Sequence, residues 1–304
     1  MLKILVLGSA AGGGYPQWNC NCETCSGVRT GRIQSIPRTQ SSIAVSSDGL
    51  NWLLVNASPD IGQQLREQPL LQPARSLRDT GITAVMLMDS QIDHTTGLLS
   101  LREHNTRLPL YCTQMVHNDL TSGFPVLNML EHYCGVDWHK IEIDESWFTV
   151  PGIEGLEFKP LVIDSKAPPY SPHRHDPHPG DNIAITIRDS GTGKSVFYSP
   201  GLGGLQQKTR DVMHSVDCLL VDGTTWTNDE MQTRGVGSKL ASEMGHLAQS
   251  GPGGMIEEIK DLSCRKILIH INNTNPILDP NSQQAKTLAA EDIEIAEDGM
   301  QIDL

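Results

Sequence analysis

The sequence predicts an α/β protein in which two mixed β-sheets stack face to face and helices cover their outer sides. Three observations carry this. Short β-branched or Leu-rich runs recur along the 304 residues, helical stretches fall between several of them, and other runs are separated only by a turn. A purely parallel sheet would need a long crossover between every pair of strands, so the mixture favours two mixed sheets. The length suits one large domain spanning 1–304, since no linker rich in Pro, Gly or Ser divides the chain.

Strand one is expected at Lys3–Leu7, where MLKILVLG is too short in its apolar run for a secretory signal and runs straight into glycines. The turn that follows, Gly8–Pro16, lacks the G-x-G-x-x-G spacing of a dinucleotide loop and no Gly-Lys-Ser/Thr follows it. Gly12, Gly13 and Gly14 suit a tight turn at the edge of a site, where side chains would obstruct. Ser42–Ser46 and Trp52–Asn56 form a hairpin around Asp48-Gly49, and later strands are expected at Ala84–Met88, Leu108–Tyr111, Ile183–Arg188, Ser195–Tyr198, Cys218–Asp222 and Lys266–Ile271. Helices are expected near Pro59–Gln68, Gly97–Asn105, Pro125–Tyr133, Gly201–Ser215 and Gly254–Ser263. Ser165–Gly180, with five prolines and three histidines (His173, His175, His178), cannot hold regular structure and reads as an arm, a lid or a mobile loop.

Charge and cysteine usage exclude several classes. With 23 Lys and Arg against 36 Asp and Glu the net charge is −13, the wrong sign for a nucleic-acid partner. No apolar run reaches membrane-spanning length, so membrane insertion is not expected. Seven cysteines is an odd number; Cys20, Cys22 and Cys25 lie within six residues and the other four are scattered. That pattern fits a reduced, cytoplasmic compartment and one thiolate metal site rather than a disulfide framework.

Two clusters carry the chemistry. In Cys20-Asn21-Cys22-Glu23-Thr24-Cys25, within a loop at about 15–30, three thiolates can converge on one Zn²⁺, which in a structural site takes a fourth ligand from elsewhere. The second cluster, Asp89-Ser90-Gln91-Ile92-Asp93-His94-Thr95-Thr96-Gly97, leaves the strand AVMLM. Carboxylates, an amide and an imidazole on the loop leaving a rigid strand are suited to holding an active-site metal.

This second segment resembles the metallo-β-lactamase signature H-x-H-x-D-H-x-x-G, aligned on Asp93-His94 and Gly97, with Asp89 and Gln91 replacing its first two histidines. The resemblance implies a four-layer αββα sandwich in which the first metal site is lost and the second is retained in Asp93 and His94. Its third ligand would be His270, in KILIHINNTNP. No acid stands in the turn Tyr198-Ser199-Pro200-Gly201, where that superfamily places its bridging Asp, so Asp222 of LLVDGTTW is expected near the metal instead. Over nearly its whole length the chain is similar to the PqqB family of pyrroloquinoline quinone (PQQ) biosynthesis, through LGSAAGGGYPQWNCNCETC, DSQIDHTTGLL, NIAITI, VDGTTW, MGHL and HINNTNPIL. Related phosphodiesterases share the C-x-C-x2-C cluster and take a His three residues past the last active-site His as fourth zinc ligand. Here that position is Asn273.

Two histidines and one carboxylate form the ligand set that leaves open positions on non-haem Fe(II), although it also accepts Mn²⁺ or Zn²⁺. The resemblance thus implies a structural Zn²⁺, an active-site Fe²⁺, O₂ as co-substrate, and hydroxylation of the tyrosine ring in a Glu–Tyr-derived precursor of PQQ. Asp89, Gln91, Asp222 and His246 would support the metal or touch the substrate. Alternatives from other classes are a soluble carrier of PQQ or its precursor toward the periplasm, and a metal-dependent hydrolase. Other PQQ biosynthesis proteins are expected partners. An anionic precursor needs local positive charge, for which Arg29, Arg32 and Arg38, just beyond the cysteines, are the sequence candidates.

Overall fold

The computed structural model describes residues 1–304. Thirteen strands form two sheets: β1 (Lys3–Gly8), β2 (Ser42–Ser46), β3 (Trp52–Val55), β4 (Ile82–Met86), β5 (Leu108–Cys112), β6 (Val136–Lys140) and β13 (Gln301–Asp303) make one. The other contains β7 (Leu156–Val162), β8 (Ile183–Asp189), β9 (Ser195–Ser199), β10 (Cys218–Asp222), β11 (Arg265–Ile269) and β12 (Ile293–Ile295). The orders are β13-β1-β2-β3-β4-β5-β6 and β12-β11-β10-β9-β8-β7. Both sheets are mixed. β3 to β6 run parallel in the first and β9 to β12 in the second, while β13-β1-β2-β3 and β7-β8-β9 are antiparallel.

The central strands are apolar on both faces because each sheet is covered twice. Alternate residues of β1 to β4, such as Ile4, Val6, Ile43, Leu53 and Met86, meet Phe158, Ile185, Tyr198, Leu220 and Ile267 in the layer between the sheets. The intervening residues, among them Leu5, Leu54 and Leu110, pack on helical residues Val116, Leu120 and Leu127. On the opposite outer side Phe197, Leu219 and Leu268 pack on Met213, Ile259 and Leu288. This is the expected helix–sheet–sheet–helix stack. No helix is long and apolar enough to cross a membrane.

Several boundaries differ from the sequence expectations. The helix expected at Gly97–Asn105 is a 3₁₀ helix over Thr96–Glu103, and the one expected from Gly201 begins only at Gln207. Residues 201–206, carrying Gly203 and Gly204, have no helical structure. The strands β6, β7, β12 and β13 and the helices Gln114–Thr121 and Gln283–Ala290 were not expected. β7 contains Pro160, which reads as a breaker, but β7 is an edge strand and tolerates a missing N–H. Ser165–Gly180 does lack helix and strand.

The two sheets meet where the site lies. Beyond β4 the chain stays extended, with Met88 accepting from Ile183 N at 2.9 Å and Asp89 bridging Asn182. Beyond β11, Ile271 exchanges backbone hydrogen bonds with Ser9 and Ala11, both at 2.9 Å, which fixes the glycine turn against the end of β11. The carboxyl ends of parallel strands β4, β10 and β11 therefore face one another, the usual location of a site in open α/β sheets.

Candidate metal centre

Asp93 and His94 sit in a single helical turn, Ile92–Thr95, that starts immediately after the extended β4 segment. Gly97 allows this turn to lie close against the chain below: a Cβ there would stand 2.7 Å from the Ala57 carbonyl oxygen and closer still to that of Ser58. Ala57 N in turn donates to the His94 carbonyl at 2.7 Å. His270 follows β11 directly with φ 61°, a left-handed conformation that costs a non-glycine residue on the order of 1–2 kcal/mol. Ile271, locked to Ser9 and Ala11, holds that conformation in place.

The three side chains converge. His270 Nε2 lies 3.3 Å and His94 Nε2 4.0 Å from Asp93 Oδ2, and the ligand atoms of the trio fall within 4.8 Å of one another. Each imidazole is oriented from behind. His94 Nδ1 faces both oxygens of Asp89, at 2.8 and 2.9 Å, so the N–H sits on Nδ1. The Thr224 hydroxyl donates to Asp222 Oδ1 at 2.6 Å, which leaves its oxygen to accept from His270 Nδ1 at 2.9 Å. Both Nε2 lone pairs then point at the Asp93 carboxylate, and His94 Nε2 is buried without any hydrogen-bond partner. Three acceptors facing a common point fit a cation.

The electrostatics agree. Burial alone would depress the His94 pKa, but the Asp89 and Asp93 carboxylates outweigh it and raise it to about 9. Burial opposes ionisation of Asp93, yet His94 and His270 hold it well below the usual carboxylate range. His270 is lowered, first by burial and further by the neighbouring His246 charge, against the pull of Asp93.

Asp222, His246 and His270 also bring ligand atoms within 4.8 Å of one another, in a second cluster that shares His270 with the first. His246 Nδ1 meets Asp222 Oδ2 at 2.7 Å, and Leu202 N donates to the same oxygen at 2.9 Å. His246 follows the helix Ala241–Met244 through Gly245 (φ 91°) and stacks on His270 with ring centroids 5.1 Å apart. These contacts brace His270 through Thr224 and the His246 ring. Gln91 lines the cavity, but its amide donates to the Lys166 carbonyl at 2.8 Å.

At the other cluster the three sulfur atoms of Cys20, Cys22 and Cys25 also lie within 4.8 Å of one another. All seven cysteines are free thiols. Asn273 reaches them as expected: its amide is 3.3 Å from Cys25 Sγ and 3.7 Å from Cys22 Sγ. An amide turned by 180° would present oxygen there instead, since nitrogen and oxygen are assigned from the network. Burial pushes the Cys25 thiol up to about 11, so Cys25 keeps its proton at neutral pH unless a bound metal displaces it.

The expected arginines are elsewhere. Arg29 caps the carbonyls of Gln17 and Cys20, Arg32 donates to the Glu23 carbonyl at 2.9 Å, and Arg38 is buried against Ala296 and Glu297. They brace the cysteine loop and the C-terminal segment. The cations that line the metal cavity are Arg174 and Lys239. His173 pairs with Asp181 at 3.0 Å and stacks on His178, while His175 joins neither contact, so the three histidines do not converge on one point. Thr224 and Gly12 complete the site; a Cβ on Gly12 would stand 3.1 Å from Asp93 Oδ2. The glycine run had signalled that close approach, whereas nothing in the order of the chain marked Thr224, Arg174 or Lys239.

Residues 51–271 match the family model of the β-lactamase superfamily domain. Coenzyme PQQ synthesis protein B of Acinetobacter baumannii (strain AYE) is 58% identical over 100% of both chains. That of Methylococcus capsulatus (Bath) is 57% identical over 98% of this chain and 99% of its own. The crystal structure of Zn²⁺-bound PqqB from Methylobacterium extorquens superposes with a TM-score of 0.89 at 34% identity, covering 99% of this chain and 100% of that one. A diphosphatase of the PhnP family, at 17% identity and a TM-score of 0.67 over 99% of this chain and 96% of its own, shares the fold. The chain belongs to the coenzyme PQQ synthesis protein B family, within the β-lactamase superfamily.

Proposed function

We propose that this chain acts in PQQ synthesis as an iron- and O₂-dependent hydroxylase of the tyrosine ring in a Glu–Tyr-derived precursor. In this reading residues 1–304 form one domain with two metal positions. Cys20, Cys22 and Cys25, with Asn273, hold a structural Zn²⁺, and Asp93, His94 and His270 hold Fe²⁺. The observation that carries it is the single cradle of two Nε2 atoms and one carboxylate, with His94 Nε2 buried and unpartnered. When bound, iron in a two-His-one-carboxylate set supplies open positions for O₂ and substrate.

The chain's own residues supply the rest. Asp89 keeps the His94 proton on Nδ1 and Thr224 receives the His270 Nδ1 proton, so both Nε2 atoms stay available as donors. The Asp222–His246 pair holds a proton at the cavity wall, where His246 can exchange it with a substrate hydroxyl. Asp89 and Gln91 replace the histidines of a first metal, and both are committed to hydrogen bonds, which argues against a two-metal hydrolase.

The test is reconstitution of the full-length protein with Fe(II) without oxygen, addition of the precursor, O₂ and a two-electron reductant such as ascorbate, which takes the second oxygen atom to water, and mass spectrometry. A gain of one oxygen atom that disappears in His94→Ala, with zinc content unchanged, is the expected result. Tight precursor binding with no change of mass would replace the hydroxylase with a carrier, and full turnover by His94→Ala would remove the assigned site.

A further inference from the structure

The cavity above Asp93, His94 and His270 has a volume of about 180 Å³ and two cationic side chains on its wall, Arg174 and Lys239. Neither has a carboxylate partner. Arg174 is half-buried, and its Nη1 donates to the Ala167 carbonyl at 2.6 Å, leaving the other guanidinium donors free of acidic groups. Lys239 is exposed at the rim and makes no ion pair. The carboxylates that line the same cavity are occupied: Asp89 by His94 Nδ1 on both oxygens, Asp93 by the two imidazoles. Two cations and two carboxylates balance the cavity lining in a chain of net charge −13, and because both carboxylates already face imidazoles, the two cations are the charges left to meet an anion.

Arg174 is also held in place. It belongs to the proline-rich segment, which is fastened to the metal loop at several points. Tyr170 donates its hydroxyl to the Ser90 carbonyl, and Asp119 accepts from both Ser90 Oγ at 2.7 Å and Ser171 Oγ at 2.8 Å. Arg174 N then donates to the Ser171 carbonyl at 3.2 Å. A guanidinium fixed this way loses little conformational freedom when it grips an anion, and its planar fork suits a carboxylate.

We propose that Arg174 and Lys239 form a carboxylate-binding subsite that selects an amino-acid-derived ligand with at least two carboxylates and orients it over the Asp93–His94–His270 centre. The orienting role rests on the hydroxylase reading; the binding role does not. The probe is glutamyl-tyrosine dipeptide, compared with its diamide, titrated calorimetrically into the zinc-loaded full-length protein, where no oxygen chemistry occurs. The diacid should bind at least about tenfold more tightly than the diamide, and Arg174→Gln and Lys239→Gln should each remove about that factor. Arg174→Lys, which keeps the charge, should retain part of it, and unchanged thermal melts confirm that the variants fold. Equal binding of diacid and diamide, no binding to the wild type, or wild-type affinity in folded Gln variants each overturns the subsite. Charge-selective binding without hydroxylation overturns only the hydroxylase reading, and hydroxylation with charge-blind binding overturns only the subsite.

Discussion

Replacing Asp89 by Asn separates two contributions that oppose each other at neutral pH. Asp89 fixes the His94 tautomer through contacts of 2.8 and 2.9 Å, and losing such a partner typically costs about 10- to 100-fold in metal affinity. Asp89 also helps to raise the His94 pKa to about 9, against burial, so at pH 7 a proton competes for Nε2. Two pH units below that pKa, the competition lowers apparent affinity roughly a hundredfold, about 2.7 kcal/mol. Wild-type affinity should therefore rise about tenfold per pH unit up to pH ~9 and then level off. In Asp89→Asn the pKa falls, and levelling begins at lower pH. The variant should be 10- to 100-fold weaker above pH ~9, with the gap narrowing as the pH approaches 7. The assay is a Co²⁺ titration followed by its visible absorption, with the cysteine cluster already filled by Zn²⁺. A ratio of affinities that stays constant from pH 6 to 9.5 would refute the assignment of the His94 proton to Asp89.

Three further outcomes are expected. Gly97→Ala drives a Cβ into the Ala57 and Ser58 carbonyls and should destabilise the protein by about 3 kcal/mol in denaturant unfolding; an unchanged midpoint would contradict the packing. Glu230, buried beneath Trp226 N and the Thr274 hydroxyl, is raised by burial from 4.5 to about 7, so the folded state holds its proton longer than the unfolded state. Its contribution is present below pH 4.5 and is lost as pH rises to 7, at most about 3 kcal/mol, and Glu230→Gln should flatten that part of the stability profile. Cys25→Ser should remove one equivalent of zinc by elemental analysis and lower the melting temperature; a full complement of zinc would show that the cluster does not need this thiolate.

The legible parts of the fold were those where local chemistry and tertiary role coincide. Ser42–Ser46 and Cys218–Asp222 are buried on both faces, so their continuous apolar runs announce strands, and both appear with those bounds. β6 was hidden because Asp137, His139 and Lys140 suit an exposed sheet edge, and β12 and β13, at three residues each, are too short to show a period. At the site, Asp93 and His94 stood out as a carboxylate and an imidazole on the loop leaving a strand, and the family resemblance pointed to His270; the fold brings the three together. Arg174 and Thr224 did not stand out, since their partners lie in other elements and an Arg or Thr in a loop has many uses. Proximity in sequence misled for Arg29, Arg32 and Arg38: three cations beside the cysteine cluster serve carbonyls and the Glu297 side chain rather than the cavity.

One short segment links the cysteine cluster to the Asp93–His94–His270 trio. His270 faces Asp93, and three residues later Asn273 faces Cys22 and Cys25, whose loop also binds the Asn273 carbonyl through Thr24. Between and beyond them, Asn272 donates to the Thr274 hydroxyl, which donates to Glu230, and Asn275 donates to the carbonyls of Gly223 and Thr224. Every polar side chain from 272 to 275 is thus committed, an expensive use of buried amides and hydroxyls if its only purpose were to end β11. The purpose consistent with the geometry is to sustain the left-handed backbone at His270, which would relax into an ordinary extended conformation in an unanchored loop and turn Nε2 away from Asp93. The cysteine cluster twenty residues into the chain accordingly lies far from His270 in sequence but at one remove in space, and on the proposed reading it is the outer clamp on the last ligand of the metal cradle.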